Sequence, residues 1–214
     1  MYNQKSKLFI FLHGYNAQGD AMKILDSVFK KVAPEGSVFL YPDAPFKTPE
    51  GDGFCWFPFV FGDNPMEINE AFVYQSMQQA MPYLKSYIET KLKELEDFNY
   101  EDIILIGFSQ GAALALHASM NLPSAINCVV SFSGGFANPD NIIAKKEVHK
   151  SSVLLIHGMD DKILPYLFSQ RGAKMLREAD FNVELHLLKN TGHIITPEAI
   201  EIAKNFLIHE IKKN

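Results

Sequence analysis

Six short apolar runs recur along the chain, at 8–12, 38–41, 103–106, 127–132, 153–156 and 183–188, with longer amphipathic segments between them. Most of these runs are apolar at every position. A strand of that kind must be covered on both faces, the condition of a parallel sheet held between layers of helix. The run VELHLL at 183–188 alternates at its start and so belongs at a sheet edge. Helical patterns fall at roughly 20–32, 110–121, 166–179 and 197–212, the last with Thr196 as N-cap and Pro197 just inside it. Another begins near Asn64-Pro65 and carries Ile68, Phe72, Met77, Met81, Leu84, Ile88, Leu92 and Leu95 on one broad face, and Pro82 should kink or split it. Strand and helix in alternation predict an α/β fold, a mostly parallel central sheet with helices on both faces. In such sheets functional residues gather at the carboxyl ends of the strands.

The 214 residues fit a single domain, 1–214, with no repeat and no composition shift to mark a linker. A formal charge of −5 and the absence of a basic stripe argue against nucleic acid as a partner. Two cysteines, Cys55 and Cys128, are too few for a disulfide framework. The first apolar stretch is too short for a signal peptide, and no run approaches the length of a transmembrane segment. These features predict a soluble, cytoplasmic protein.

The run at 103–106 breaks into Gly-Phe-Ser-Gln-Gly and resumes at once as an alanine-rich helix. Strand, G-x-S-x-G turn and helix are what a nucleophile elbow requires: a sharp turn that lifts a serine hydroxyl above the sheet. The bare motif arises by chance in roughly one chain in fifteen of this length, so the strand-to-helix setting carries the weight. Serine needs a base, and the base an orienting acid, in the chain order serine, acid, histidine. His193, in the loop between the last strand and the last helix, has the right order and position for the base. His117 falls in a helix, His186 in a strand, and His149 and His209 in charged segments. Asp160 and Asp161, together in the loop after 153–156, compete for the acid, and composition does not separate them.

An oxyanion needs two backbone N–H donors. One is expected from Gln110, the residue after Ser109, at a helix N-terminus. The other is expected from the loop after the first strand, LHGYNAQGD, where Tyr15 N–H could point inward.

The pieces FIFLHGYNAQGD, YPDAPF, CWF, GFSQGAALAL, SFSGG, HGMDDKILP and GHII, in this order from residue 9 to 195, resemble the carboxylesterase/acyl-protein thioesterase (phospholipase/carboxylesterase) family of α/β-hydrolases. The resemblance implies an α/β-hydrolase fold, Ser109 as nucleophile, His193 as base, and Tyr15 and Gln110 as oxyanion donors. It also selects Asp161 as the acid, four residues beyond His157 of the His-Gly pair and four before Pro165. Two departures stand out: Ala112 where the family often has a second glycine, and Trp56-Phe57-Pro58 where it often has Trp-Phe-Asp.

The stretch GFCWFPFVFGDNP is rich in aromatic residues, and its rings either pack into the core or form an acyl-binding wall, with Trp56 and Phe57 the first candidates for substrate binding. The expected chemistry is hydrolysis of carboxylic esters or acyl-thioesters through an acyl-serine intermediate. Small molecules, lipids and acylated proteins are all open as substrates. The alternatives are a dienelactone-type lactone hydrolase, whose family usually employs cysteine, and a non-catalytic binding protein on the same fold. No cofactor is expected, and no Cys and His spacing suits a metal. Exposed aromatics near the site would support a homodimer.

Overall fold

A computed structural model describes residues 4–58, 69–135 and 148–213. The strands of the main sheet are β1 Leu8–Leu12, β2 Val38–Leu40, β5 Ile103–Phe108, β6 Cys128–Phe132, β7 Ser152–Gly158 and β8 Val183–Leu188. They lie in the order β2-β1-β5-β6-β7-β8, and every pairing is parallel. Each apolar run in the sequence is one of these strands. The partly polar run is β8, at the edge and half-buried along most of its length. The order reverses between β1 and β5, and the loops leaving those two strands flank the crevice where α/β sheets place their sites.

Alternate side chains of the strands feed two cores. Leu8, Ile10, Leu12, Ile103, Leu105, Val153 and Leu155 face helices α2 Glu70–Glu94, α3 Gln110–Asn121 and α4 Leu167–Glu178. Phe9, Phe11, Ile104, Ile106, Leu154 and Ile156 face α1 Asp26–Phe29 and α5 Pro197–Lys212. These strand side chains are 0–2% exposed, so each contributes about 1.5–3 kcal/mol by leaving water. The sandwich of helix, sheet and helix follows directly from strands that are apolar on both sides.

Three local expectations are corrected. The expected split at Pro82 does not occur: the helix runs continuously from Glu70 to Glu94, with the proline ring exposed and Met77, Met81, Leu84 and Ile88 anchoring both sides of it in the core. Phe72, assigned to that helix's apolar face, is 42% exposed. Asn69 caps the helix by accepting from Phe72 N–H, and the expected cap at Asn64-Pro65 lies outside the described residues. The segment at 20–32 divides into a 3-10 stretch, Gly19–Leu25, followed by the four residues of α1.

A two-stranded hairpin, β3 Phe46–Lys47 and β4 Phe54–Cys55, stands apart from the main sheet. Both cysteines are buried and free, and burial raises both thiol pKa values. Among the described residues no helix is long and apolar enough to cross a membrane.

Candidate active site

β5 ends at Phe108 and α3 begins at Gln110, leaving Ser109 alone in the turn. Its backbone has φ 54° and ψ −116°, a conformation that costs a side-chain-bearing residue about 1–3 kcal/mol. Two bonds hold it there: Ser109 N–H donates to Phe132 O at 2.9 Å, and Ala113 N–H donates to Ser109 O at 3.1 Å. The glycines of the motif are dictated by contact. A Cβ on Gly107 would lie 2.4 Å from Gly111 O, and one on Gly111 would lie 2.1 Å from Leu12 O. The turn is thus wedged between its own helix and the end of β1.

His193 reaches this turn from the loop between β8 and α5. Its Nε2 is 2.9 Å from Ser109 Oγ, and its Nδ1 is 2.6 Å from Asp161 Oδ2. Facing a carboxylate, Nδ1 carries the proton, which leaves Nε2 to accept from the serine hydroxyl. The Phe108 ring lies against the imidazole with centroids 5.0 Å apart. Asp161 has a wholly buried side chain. Its Oδ1 accepts from the N–H groups of Ile163 and Leu164, both at 2.9 Å, and its Oδ2 also meets His157 Nε2 at 3.1 Å. Burial alone would raise the pKa of this carboxyl. Bonds from His157, His193 and Leu164 N–H outweigh that and hold it well below the usual carboxylate range.

The rivalry between the adjacent aspartates has a geometric answer. Asp160 is exposed, and its N–H donates to Thr191 O, which ties the acid's loop to the histidine's loop. Gly158 lets those loops close, since a Cβ there would sit 2.2 Å from Thr191 O.

On the other side of Ser109 lies the loop after β1. A Cβ on Gly14 would be 3.5 Å from Ser109 Cβ, so this loop runs directly beside the serine. His13 is fully buried: its Nδ1 donates to Gly14 O at 2.7 Å and its Nε2 accepts from Ala44 N–H at 3.0 Å. Burial holds its pKa below the ordinary histidine value, and the Gly14 carbonyl only partly offsets this. The Tyr15 phenol donates to Glu50 at 2.7 Å, and burial followed by that carboxylate pushes its pKa up to about 12. Asn16, at φ 55°, accepts from Thr48 Oγ1 and Gly53 N–H and so fastens the hairpin to the loop.

Gln110 has a backbone N–H in the first turn of α3, where no intrahelical acceptor exists and the helix dipole favours negative charge. Its side chain is buried and does separate work. Oε1 accepts from Trp56 N–H and Nε2 donates to Phe57 O, both at 2.8 Å. Trp56 Nε1–H donates in turn to His13 O at 2.8 Å. Trp56 and Phe57 are 0% and 1% exposed and belong to the core beneath the loops, as the first of the two readings of these rings has it. They also supply no exposed aromatic surface for a dimer. The rest of that aromatic stretch, from Phe59 onward, lies outside the described residues.

The side chains of Ser109, Asp161 and His193 are brought together from three strand ends, and Gln110 and the β1 loop at Gly14 flank the same serine. Three partners were not foreseen: His157 on the acid, the Gln110 side chain, and His13 under the β1 loop. Their signals were present as a histidine placed directly before Gly158 at a strand end, a glutamine inside an otherwise apolar turn, and the His-Gly pair after β1. Among the described residues no group of three His, Cys, Asp or Glu could hold a metal ion.

Comparison with known proteins gives a consistent likeness. A family model described as Phospholipase/Carboxylesterase matches residues 2–211. The carboxylesterase SOBER1 of Arabidopsis thaliana is 24% identical over 207 residues, covering 95% of this chain and 90% of its own. Acyl-protein thioesterase 1 of Saccharomyces cerevisiae is 27% identical over 206 residues, covering 92% and 90%. Among solved structures, the esterase PE8 superposes with a TM-score of 0.87 at 28% identity, covering 95% of this chain and 92% of that one.

Proposed function

The chain belongs to the phospholipase/carboxylesterase family of hydrolases, and from that premise we propose that it cleaves carboxylic esters or acyl-thioesters through an acyl-serine intermediate, on one α/β-hydrolase domain spanning 1–214. Ser109 Oγ attacks the acyl carbon while His193 Nε2 takes its proton. Asp161 keeps the imidazole in the productive tautomer and stabilises its charged form. The oxyanion of the tetrahedral intermediate is received by the backbone N–H groups of Gln110 and Tyr15. His193 then gives the proton to the departing alcohol or thiol. Water repeats the sequence on the acyl-serine and releases the acid.

The observation that carries this reading is the continuous path from hydroxyl to carboxylate, 2.9 Å from Ser109 to His193 and 2.6 Å from His193 to Asp161. A cysteine-based lactone hydrolase lacks a nucleophile here, because Cys55 and Cys128 are buried thiols with raised pKa values. The names of the relatives favour esters and acyl-thioesters as the substrate class. A fluorophosphonate probe should label the parent protein and not Ser109→Ala, with p-nitrophenyl esters of increasing chain length and an acyl-thioester then ranking substrates. Labelling or turnover that survives in a folded Ser109→Ala protein would remove the serine from the mechanism.

A further inference from the structure

We propose that His157, backed by Ser169, is the positioning residue for the acid of the site, so that the working unit extends two groups inward from the triad; this inference rests on the triad reading above. His157 is on β7, four residues before Asp161, and its side chain is wholly buried. Its Nε2 faces two acceptors, Asp161 Oδ2 at 3.1 Å and Leu164 O at 2.8 Å, and therefore carries a proton. One N–H thus touches both the carboxylate and the far end of the 161–164 turn that presents it. On the other side of the ring, Nδ1 is left without a proton and accepts from Ser169 Oγ on α4 at 2.7 Å, and Gly134 O in the loop after β6 lies beside the same hydroxyl. The path from Ser169 through His157, Asp161 and His193 to Ser109 is an unbroken line of hydrogen bonds across three strand ends.

A buried imidazole spanning two elements is costly to satisfy, and this one has a partner at every polar atom. What it does for the reaction follows from the carboxylate it touches. The two oxygens of Asp161 accept from His193, His157, Ile163 and Leu164, so the charge is shared among four donors. With the His157 donor removed, Asp161 keeps its charge but disperses less of it, and attracts the protonated form of His193 more strongly. The base then stays protonated to a higher pH, and the carboxylate loses a restraint on its rotamer.

The titratable groups around His193 are Asp161 and, behind it, His157. Asp160 and Lys162 flank the acid on its own loop, and Lys189 follows β8, all three exposed. On α4, which contributes Ser169, the charged residues Arg171, Lys174, Arg177 and Glu178 are likewise exposed.

The test compares His157→Gln with His157→Asn. The glutamine amide reaches the place of Nε2 and keeps a donor on Asp161, whereas the asparagine amide reaches only the place of Nδ1 and keeps the Ser169 contact. His157→Asn should lose about tenfold in kcat with KM little changed, and the acid limb of its kcat/KM profile should move up by about 0.5–1 pH unit. His157→Gln should restore kcat to within about threefold and return the limb. Equal kcat and coincident pH profiles for the two variants would overturn the proposal, as would a loss confined to KM. If neither variant folds, Ser169→Ala breaks the line one step further out and should show the same upward movement with a smaller loss of kcat. A Ser169→Ala profile identical to the parent would overturn it as well. Ser109→Ala measured in parallel separates the two levels: activity there sinks the triad reading, while an inactive Ser109→Ala beside indistinguishable His157 variants sinks only this inference.

Discussion

The two flanks of Ser109 are built in opposite ways. On one flank the proposed acid and base, Asp161 and His193, meet through their side chains, and charge is the dominant quantity: a buried carboxylate with a depressed pKa and an imidazole 2.6 Å away. On the other flank the proposed oxyanion donors are backbone N–H groups, those of Tyr15 and Gln110, and shape is the dominant quantity: Trp56 holds His13 O, the Gln110 side chain holds Trp56 and Phe57, and Asn16 holds the hairpin. The first flank should fail when one side-chain atom is changed. The second should tolerate changes at its named residues and fail when the scaffold behind them gives way.

Asp161→Asn strikes the charged flank and should lower kcat by about 10⁴-fold in a folded protein, since the amide favours the wrong tautomer of His193. A loss under tenfold would erase the contrast. Gly111→Ala strikes the scaffold, where the new methyl meets Leu12 O at 2.1 Å and backbone on both sides must shift. It should destabilise the fold by more than about 3 kcal/mol, or abolish soluble expression, as read by urea unfolding. Trp56→Phe keeps a ring but leaves His13 O without its donor. We expect a loss of about 1–3 kcal/mol in stability and about tenfold in kcat, with KM unchanged. Tyr15→Phe removes the phenol bond to Glu50 and leaves the backbone N–H in place, so kcat should stay within about threefold. A collapse of kcat there would mean that the phenol, not the peptide, does the work.

Acid sensitivity should also divide the flanks. The carboxyl of Asp161 is held below its unfolded value of about 3.9. A depressed carboxyl contributes stability that is fully present above the unfolded value and is lost as pH falls through the folded one. Urea unfolding at pH 7, 4 and 3 should therefore show the advantage of the parent over Asp161→Asn shrinking below about pH 4. Trp56→Phe should keep a constant offset from the parent over the same range.

The same division governs how much could be read from the amino-acid sequence. Strands and most helices were legible because burial on both faces writes every residue of a strand as apolar. The hairpin β3–β4 was not, because two residues per strand leave no periodicity to read. The split expected at Pro82 does not occur because its ring faces solvent while tertiary contacts hold the helix on both sides. At the site, residue type and chain order pointed to Ser109 and His193 as the proposed nucleophile and base, and resemblance alone pointed to Asp161 over Asp160, and the structure brings these three side chains within hydrogen-bond reach. For Trp56 and Phe57 the core and pocket readings could not be separated, since an aromatic residue looks the same in sequence whether it lines a pocket or fills the core. The bonds that Gln110 and His157 make to carbonyls depend on where distant loops end, and carbonyls have no letter in a sequence.

The positive φ of Ser109 has a further consequence. Glycine would occupy that backbone geometry with far less strain, so a lineage selected for durability alone would drift toward glycine at position 109 and become hardier as it fell silent. Under the proposed mechanism, the hydroxyl stands there against the preference of its own main chain.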